Sequence, residues 1–273
     1  MSVESAVEAA VLHRDADGIR RITLNLPEAA NALRPVDRDR LIELVNEADE
    51  DHAIRVVVIA ANGRHFCSGA DVTGIARSNS SSGDAKRATD SMRKIMNGAQ
   101  RLVAAVLDCG KPVIAVVNGA AAGIGAHLAL AADLVVAAED ASFVEVFVRR
   151  GLVVDGGGAY LLPRRMGMQK AKELAFFGDK LPAAEALALG LVNRVVPASE
   201  LDAAADEFAR RLAAGPTTAI SLTKRLLNAS PDGDRAAAFL AEAMAQEIQS
   251  TAEDSREGVR SFMERRPPEF RGF

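Results

Sequence analysis

The chain has 273 residues, 49% apolar and 26% charged, with a formal net charge of −4. These values describe a globular chain able to bury a sizeable core in one large domain or two small ones. The acidic balance excludes a global basic field for nucleic acid or anionic membrane. The two cysteines, Cys67 and Cys109, form neither a disulfide framework nor a CxxC metal site, and they suit a reducing cytoplasm. The opening residues lack the apolar stretch of a secretory signal. No apolar run approaches the roughly 18 residues of a membrane span.

Ile19–Leu24 alternates like a half-buried strand, and Asn25-Leu26-Pro27 ends it. Pro35 suits a first helical turn, and Leu41, Leu44, Val45 and Ala48 follow at helical spacing. Residues 55–61 form a β-branched run that fits a strand buried on both faces. Val113–Val117 and Leu134–Ala138 repeat that pattern, and residues 92–107 and 123–131 read as intervening helices. Asn62-Gly63 is a turn, and residues 78–84 form a Gly/Ser-rich loop. Beyond Val196 the character changes to helices over 199–213, 217–228, 234–250 and 252–264, with Ser199 and Thr251 as candidate caps. The reading is an α/β core over 1–196 and a helical region over 197–273, which must pack on its own core or on another subunit.

Gly123-Ile124-Gly125 after a strand partly imitates a dinucleotide fingerprint, but the third glycine is missing and no acidic strand end follows about 20 residues on. Two segments, HFCSGADV (65–72) and NGAAAGIG (118–125), place flexible backbone at the carboxyl ends of buried strands, where ligands bind in open α/β sheets. Converging N–H groups from such turns make an oxyanion hole for a carbonyl that becomes an enolate. The glycines also suit plain tight turns, and residue pattern alone leaves both readings open.

FCSGADV and VNGAAAGIGAHLALAADL, with NLPEAANAL, FVRRGLVVDGGGAYLLPRRMG and LPAAEALALGLVNRVVP, resemble the crotonase superfamily, the enoyl-CoA hydratase/isomerase family. The motifs run in the family's order across residues 10–265. The resemblance implies a spiral of β-β-α units followed by a helical trimerisation region. It implies an acyl-CoA thioester substrate whose carbonyl oxygen meets the N–H groups of Ala70 and Ile124, with Ile124 narrowing a position usually held by glycine. Ala29, Ala30, Ala70, Asp71 and Val72 would hold the coenzyme A portion. Phe262 and Arg265 would close that site, often from a neighbouring subunit of a homotrimer or dimer of trimers. Glu28 stands where the family often has lysine. No metal and no cofactor beyond the coenzyme A of the substrate is implied, and neither nucleic acid nor membrane is an expected partner.

The resemblance places the two glutamates of a hydratase at His127 and Phe147, and Phe147 cannot carry a proton. Glu145 lies two residues away in a segment expected to be extended, as a solvated or pocket-rim charge. Asp155 in GLVVDGGG matches the acid/base position of the family's isomerases. Flanked by Val153 and Val154, it would be partly desolvated, which raises a carboxyl toward working pH. It also suits a helix N-cap. His127 is either a packed, hydrogen-bonded histidine, a group that orients Asp155, or a second acid/base. The sole tyrosine, Tyr160, is expected to pack. The expected function is double-bond isomerisation of an enoyl-CoA. Hydration, acyl-CoA hydrolysis and a catalytically silent acyl-CoA binder are the alternatives.

Overall fold

A computed structural model describes residues 9–71 and 89–273. The expected loop over 78–84, and Val72, lie outside the described residues. Strands β1 (Val11–Ala16) and β2 (Ile19–Leu24) form a hairpin, with Val11 opposite Leu24 and Ala16 opposite Ile19. Its two-residue turn puts Asp17 and Gly18 at φ 52° and 76°, the left-handed conformation that matches strand twist. Helix α1 (Pro35–Glu50) follows, then β3 (Val56–Ala61). Residues 92–107, expected as one helix, belong to α2 (Asp90–Ile95), a π-helical turn (Met96–Gln100) and α3 (Arg101–Asp108).

The chain continues through β4 (Val113–Val117), β5 (Ala120–Ala122), α4 (Ile124–Ala131), β6 (Leu134–Ala138) and β7 (Ser142–Val144). Next come α5 (Gly158–Met166), α6 (Met168–Phe177), β8 (Lys180–Pro182), α7 (Ala183–Ala188) and β9 (Arg194–Val196). The main sheet has the order β1-β2-β3-β4-β6-β9, and every neighbouring pair except the β1–β2 hairpin is parallel. A second sheet, β5-β7-β8, stands at the carboxyl ends of these strands. The buried β-branched runs become β3 and β4, as a sheet covered on both faces requires.

Helices α8 (Leu201–Ala213), α9 (Thr217–Ala229), α10 (Arg235–Ser250) and α11 (Glu253–Glu264) complete the chain. Arg20 and Arg21 show how the layers close. Successive strand residues point to opposite faces. Arg20 donates to Leu44 O on α1 at 3.2 Å, whereas Arg21 pairs with Asp202 and Asp206 on α8. α8 lays Ala204, Ala205 and Ala209 in the same core as the sheet, small side chains that let backbone approach closely.

α9 is anchored by Lys224. Its Nζ lies 2.8 Å from Asp133 Oδ2 and donates to Val106 O and Lys111 O. Burial pushes the Asp133 carboxyl up, and Lys224 pulls it back. α10 exposes an apolar row of Phe239, Leu240, Met244 and Ile248. The tail after α11 folds back on the amino-terminal edge of the sheet. Asp254 accepts the N–H groups of Arg271 at 2.6 Å and Gly272 at 2.7 Å, and Arg55, just before β3, donates to Phe270 O.

Neither expected cap holds. Ser199 lies inside a 3-10 turn, Ala198–Glu200, and the Thr251 hydroxyl donates backwards to Ile248 O at 2.9 Å. A side-chain cap is supplied instead by Asp234, which accepts the Ala237 N–H at 2.9 Å. Among the described residues no helix is long and apolar enough to cross a membrane.

Candidate active site

The carboxyl edge of the sheet carries two adjoining turns. Asn31, 2% exposed, joins them: its Oδ1 accepts the Leu26 N–H, and its Nδ2 donates to Asn62 O and His65 O. Ala30 precedes it in the left-handed region and accepts the Ser68 N–H at 3.0 Å. Leu33 N donates to Gly69 O, and Asp71 N donates to Leu33 O. The backbone around Ala30 and the Ser68–Asp71 segment, with Ala70 bridged to Leu33, therefore lines one edge.

The same segment pairs with β5 on its other side, through Cys67 N to Ala120 O and Ala122 N to Cys67 O. Gly69 has φ 105°, and a Cβ there would stand 3.0 Å from Ala122 O and 4.0 Å from Ile124 N. That closeness brings the Gly69–Ala70 peptide beside the first residue of α4. Among the described residues neither the Ala70 nor the Ile124 N–H has an acceptor. Ile124 N–H is one of the free donors of a helix start, where the dipole favours negative charge. Two free amides on one edge can hold a carbonyl oxygen that gains charge.

Asp155 sits in the loop before α5. Its side chain is half-buried and, among the described residues, makes no hydrogen bond. It does not cap α5, because the cap position is Gly157 and no side chain accepts there. Burial pushes its carboxyl up, and the charge of nearby His127 pulls it back. Val153 contributes no shielding, being 85% exposed in the single chain. The enclosed neighbour is Gly156, where a Cβ would stand 2.8 Å from Ile124 Cδ1, 3.2 Å from Ala99 Cβ and 3.5 Å from His127 Nδ1. Ile124 thus reaches across to the Asp155 loop.

His127 is fully buried on α4. Its Nε2 lies 3.2 and 3.1 Å from the two carboxylate oxygens of Glu145, and its ring stacks on Phe147 with centroids 5.6 Å apart. The expectation for Glu145 is overturned: it is 3% exposed, neither solvated nor at a rim. The segment is not extended there, because the chain turns after β7 and Phe147 adopts helical angles, φ −57° and ψ −51°. The turn lets residues 145 and 147 reach the same imidazole. The signal was an acid inside an apolar FVEVF run, which needs a buried partner. Tyr160 also departs from expectation. It donates to Asp232 Oδ2 at 2.8 Å at the surface, under the Arg164 guanidinium.

Phe262, 82% exposed, and Arg265 lie at the end of α11. The tail that follows is latched at the amino-terminal edge, opposite the two turns. Within one chain they do not join the Ala29–Asp71 edge.

The mostly parallel main sheet thus carries a second, three-stranded sheet, and among the described residues the Ala70 and Ile124 amides have no acceptor and the Asp155 carboxyl has no hydrogen-bond partner. The enoyl-CoA hydratase/isomerase family profile matches residues 14–272, and the chain belongs to that family, the crotonase superfamily. A probable enoyl-CoA hydratase of Rhodobacter capsulatus is 37% identical, over 94% of this chain and 95% of that one. The 1,2-epoxyphenylacetyl-CoA isomerase of Escherichia coli is 36% identical, over 93% and 95%. The crystal structure of a putative enoyl-CoA hydratase from Streptomyces coelicolor superposes with a TM-score of 0.90 at 38% identity, covering all of both chains.

Proposed function

We propose that this acyl-CoA enzyme is an enoyl-CoA isomerase in which Asp155 carries the proton. The observation that carries the reading is the half-buried Asp155 carboxyl, without a hydrogen-bond partner among the described residues, in the loop that Ile124 packs against at Gly156, while the position of a hydratase glutamate is filled by Phe147. The substrate thioester oxygen accepts both N–H groups. Asp155 removes a proton from C2 of a 3-enoyl thioester, and the negative charge spreads onto that oxygen as a dienolate. Asp155 returns the proton at C4, moving the double bond from C3–C4 to C2–C3. Burial pushes the Asp155 carboxyl up, so it holds a proton more readily than an ordinary carboxylate does, which suits the step that passes the proton on. No electron is transferred, so the route requires no group beyond the coenzyme A of the substrate.

The backbone of Ala29, Ala30, Ala70, Asp71 and Val72 holds the coenzyme A portion. Phe262 and Arg265 close it from a neighbouring subunit, and region 197–273, with the exposed row on α10, builds a homotrimer or dimer of trimers. The relatives named as hydratases keep hydration as the second reading.

The test is a 3-enoyl-CoA panel in deuterated water, wild type beside Asp155→Asn, with mass spectrometry locating the deuterium. Wild type is expected to form the 2-enoyl isomer, with a loss of at least about 100-fold in the variant, as for removal of a general acid–base. A 3-hydroxyacyl product from a 2-enoyl-CoA favours hydration instead. Binding without turnover by both proteins refutes an enzymatic role for Asp155. Light scattering reads the assembly, and a monomer refutes the subunit arrangement.

A further inference from the structure

Helix α11 carries two contrasting sets of residues. Asp254, Glu257 and Ser261 recur at helical spacing and are buried, although all three are polar. Val259, Phe262 and Met263 are exposed, although all three are apolar. A strap over residues 265–273 accounts for the buried set. Glu257 Oε1 accepts from the Arg266 guanidinium at 2.6 Å and from the Glu269 N–H at 3.0 Å. Asp254 holds the N–H groups of Arg271 and Gly272, and its own N–H donates to Phe273 O at 3.0 Å. The far part of the strap is tied to the core. Thr218 Oγ1 on α9 donates to Gly272 O at 2.9 Å, and Arg55, which also donates to Thr217 Oγ1, reaches Phe270 O.

The turn from helix into strap runs through Arg265 at φ 55°. The Arg265 N–H donates to Phe262 O and the Arg266 N–H to Ser261 O, the two bonds of a left-handed helix ending. Glycine is the usual residue at such an ending, and a side chain there is strained. The strap keeps the strained turn in place, because Glu257 grips the next residue, Arg266. Arg260 and Arg266 are both engaged by Glu257, whereas the Arg265 guanidinium is exposed and, among the described residues, has no ion pair. A free guanidinium three residues from an exposed phenyl ring suits the phosphates and the aromatic base of a nucleotide.

We propose that the strap pre-sets the closure of the coenzyme A portion: Asp254 and Glu257 lock residues 265–273, so that Phe262 and Arg265 meet the nucleotide end in one arrangement. Asp254 and Glu257 are positioning residues, because they touch the strap and lie buried beneath it. With the strap released, the last turn of α11 would have to be ordered each time ligand binds, which weakens binding. The inference rests on the reading of Phe262 and Arg265 as the closure of the coenzyme A portion.

The experiment is calorimetric binding to the full chain of butanoyl-CoA and of butanoyl-pantetheine, which lacks the nucleotide. Both thioesters are saturated, so the result does not depend on Asp155 as a proton carrier. Asp254→Asn and Glu257→Gln are each expected to raise the Kd of butanoyl-CoA by about ten-fold, the scale of ordering one or two side chains on binding. The Kd of butanoyl-pantetheine is expected to stay as in wild type. Arg265→Gln, measured alongside, separates the two readings. If it binds both thioesters as wild type does, the closure itself fails, and the proposal with it. If it weakens butanoyl-CoA while the strap variants bind that thioester normally, the role of the strap alone is overturned. Equal weakening of both thioesters overturns it too, since general damage to the fold does the same. Light scattering accompanies each variant, and a smaller assembly overturns the proposal by making the strap a subunit contact. If neither carboxylate variant folds, Thr218→Val decides, because it removes only the hydroxyl that holds Gly272 O. Weakening confined to butanoyl-CoA supports the strap, and an unchanged ratio of the two Kd values overturns it.

Discussion

Replacing Gly158 by alanine sets helix propensity against the packing around His127. Gly158 is the first residue of α5, where alanine favours the helix by up to about 1 kcal/mol. Its Cβ, however, would overlap His127 Cε1 and Nε2 and stand 2.6 Å from Val154 Cγ1. Overfilling a packed site costs about 1–3 kcal/mol. Pushing the ring off Glu145 also removes a hydrogen bond to a charged group, about 1.5–3 kcal/mol. The balance is a net loss of about 2–4 kcal/mol. Urea unfolding at fixed subunit concentration should show a midpoint about 1 M lower. Gly151→Ala is the control. It meets nothing within 4 Å, but its φ of 63° costs about 1–2 kcal/mol, and it should leave the His127 environment intact. If Gly158→Ala unfolds at or above the wild-type midpoint, the enclosure of His127 is wrong.

Three further outcomes follow from the same structure. Asp155→Asn should stabilise the protein at neutral pH. A carboxyl raised by burial contributes stability below the unfolded value that is lost as pH rises through the folded value, so the gain should vanish on acidification in thermal melts. Lys224→Met leaves the Asp133 carboxyl and two carbonyls facing an apolar group, and should cost about 3–5 kcal/mol in denaturant titration. The thiols of Cys67 and Cys109, pushed up by burial to about 12 and about 11, should resist a thiol reagent until denaturant is added, and rapid labelling of the native protein would contradict their enclosure.

Many long parts of the fold were readable because their periods are long, although β1 (Val11–Ala16) and α6 (Met168–Phe177) were not read. β2, β4 and β6 fall where alternation or a β-branched run placed them, and α1 begins at Pro35. The three-residue strands β5, β7, β8 and β9 were missed, since three residues show no period and form only against neighbours. Within the site, the turns around Ala70 and Ile124 were legible from glycines after buried strands. The placement of Glu145 was not, because it depends on a turn after Val144 that polar alternation does not encode. The distinction between cap and free carboxyl at Asp155 likewise needed coordinates, since the residue type serves both.

Asn31 gives the molecule a chemical clock. Its amide nitrogen donates to Asn62 O and His65 O at once, while its oxygen receives the Leu26 N–H. Hydrolysis of that amide to a carboxylate would leave an acceptor-only group facing two carbonyl oxygens. Loss of one nitrogen atom would thus turn two attractions into repulsions at the point joining Ala30 to the Ser68–Asp71 segment. Storage ageing at this single side chain would loosen the ligand-binding edge while leaving the sheet beneath it whole.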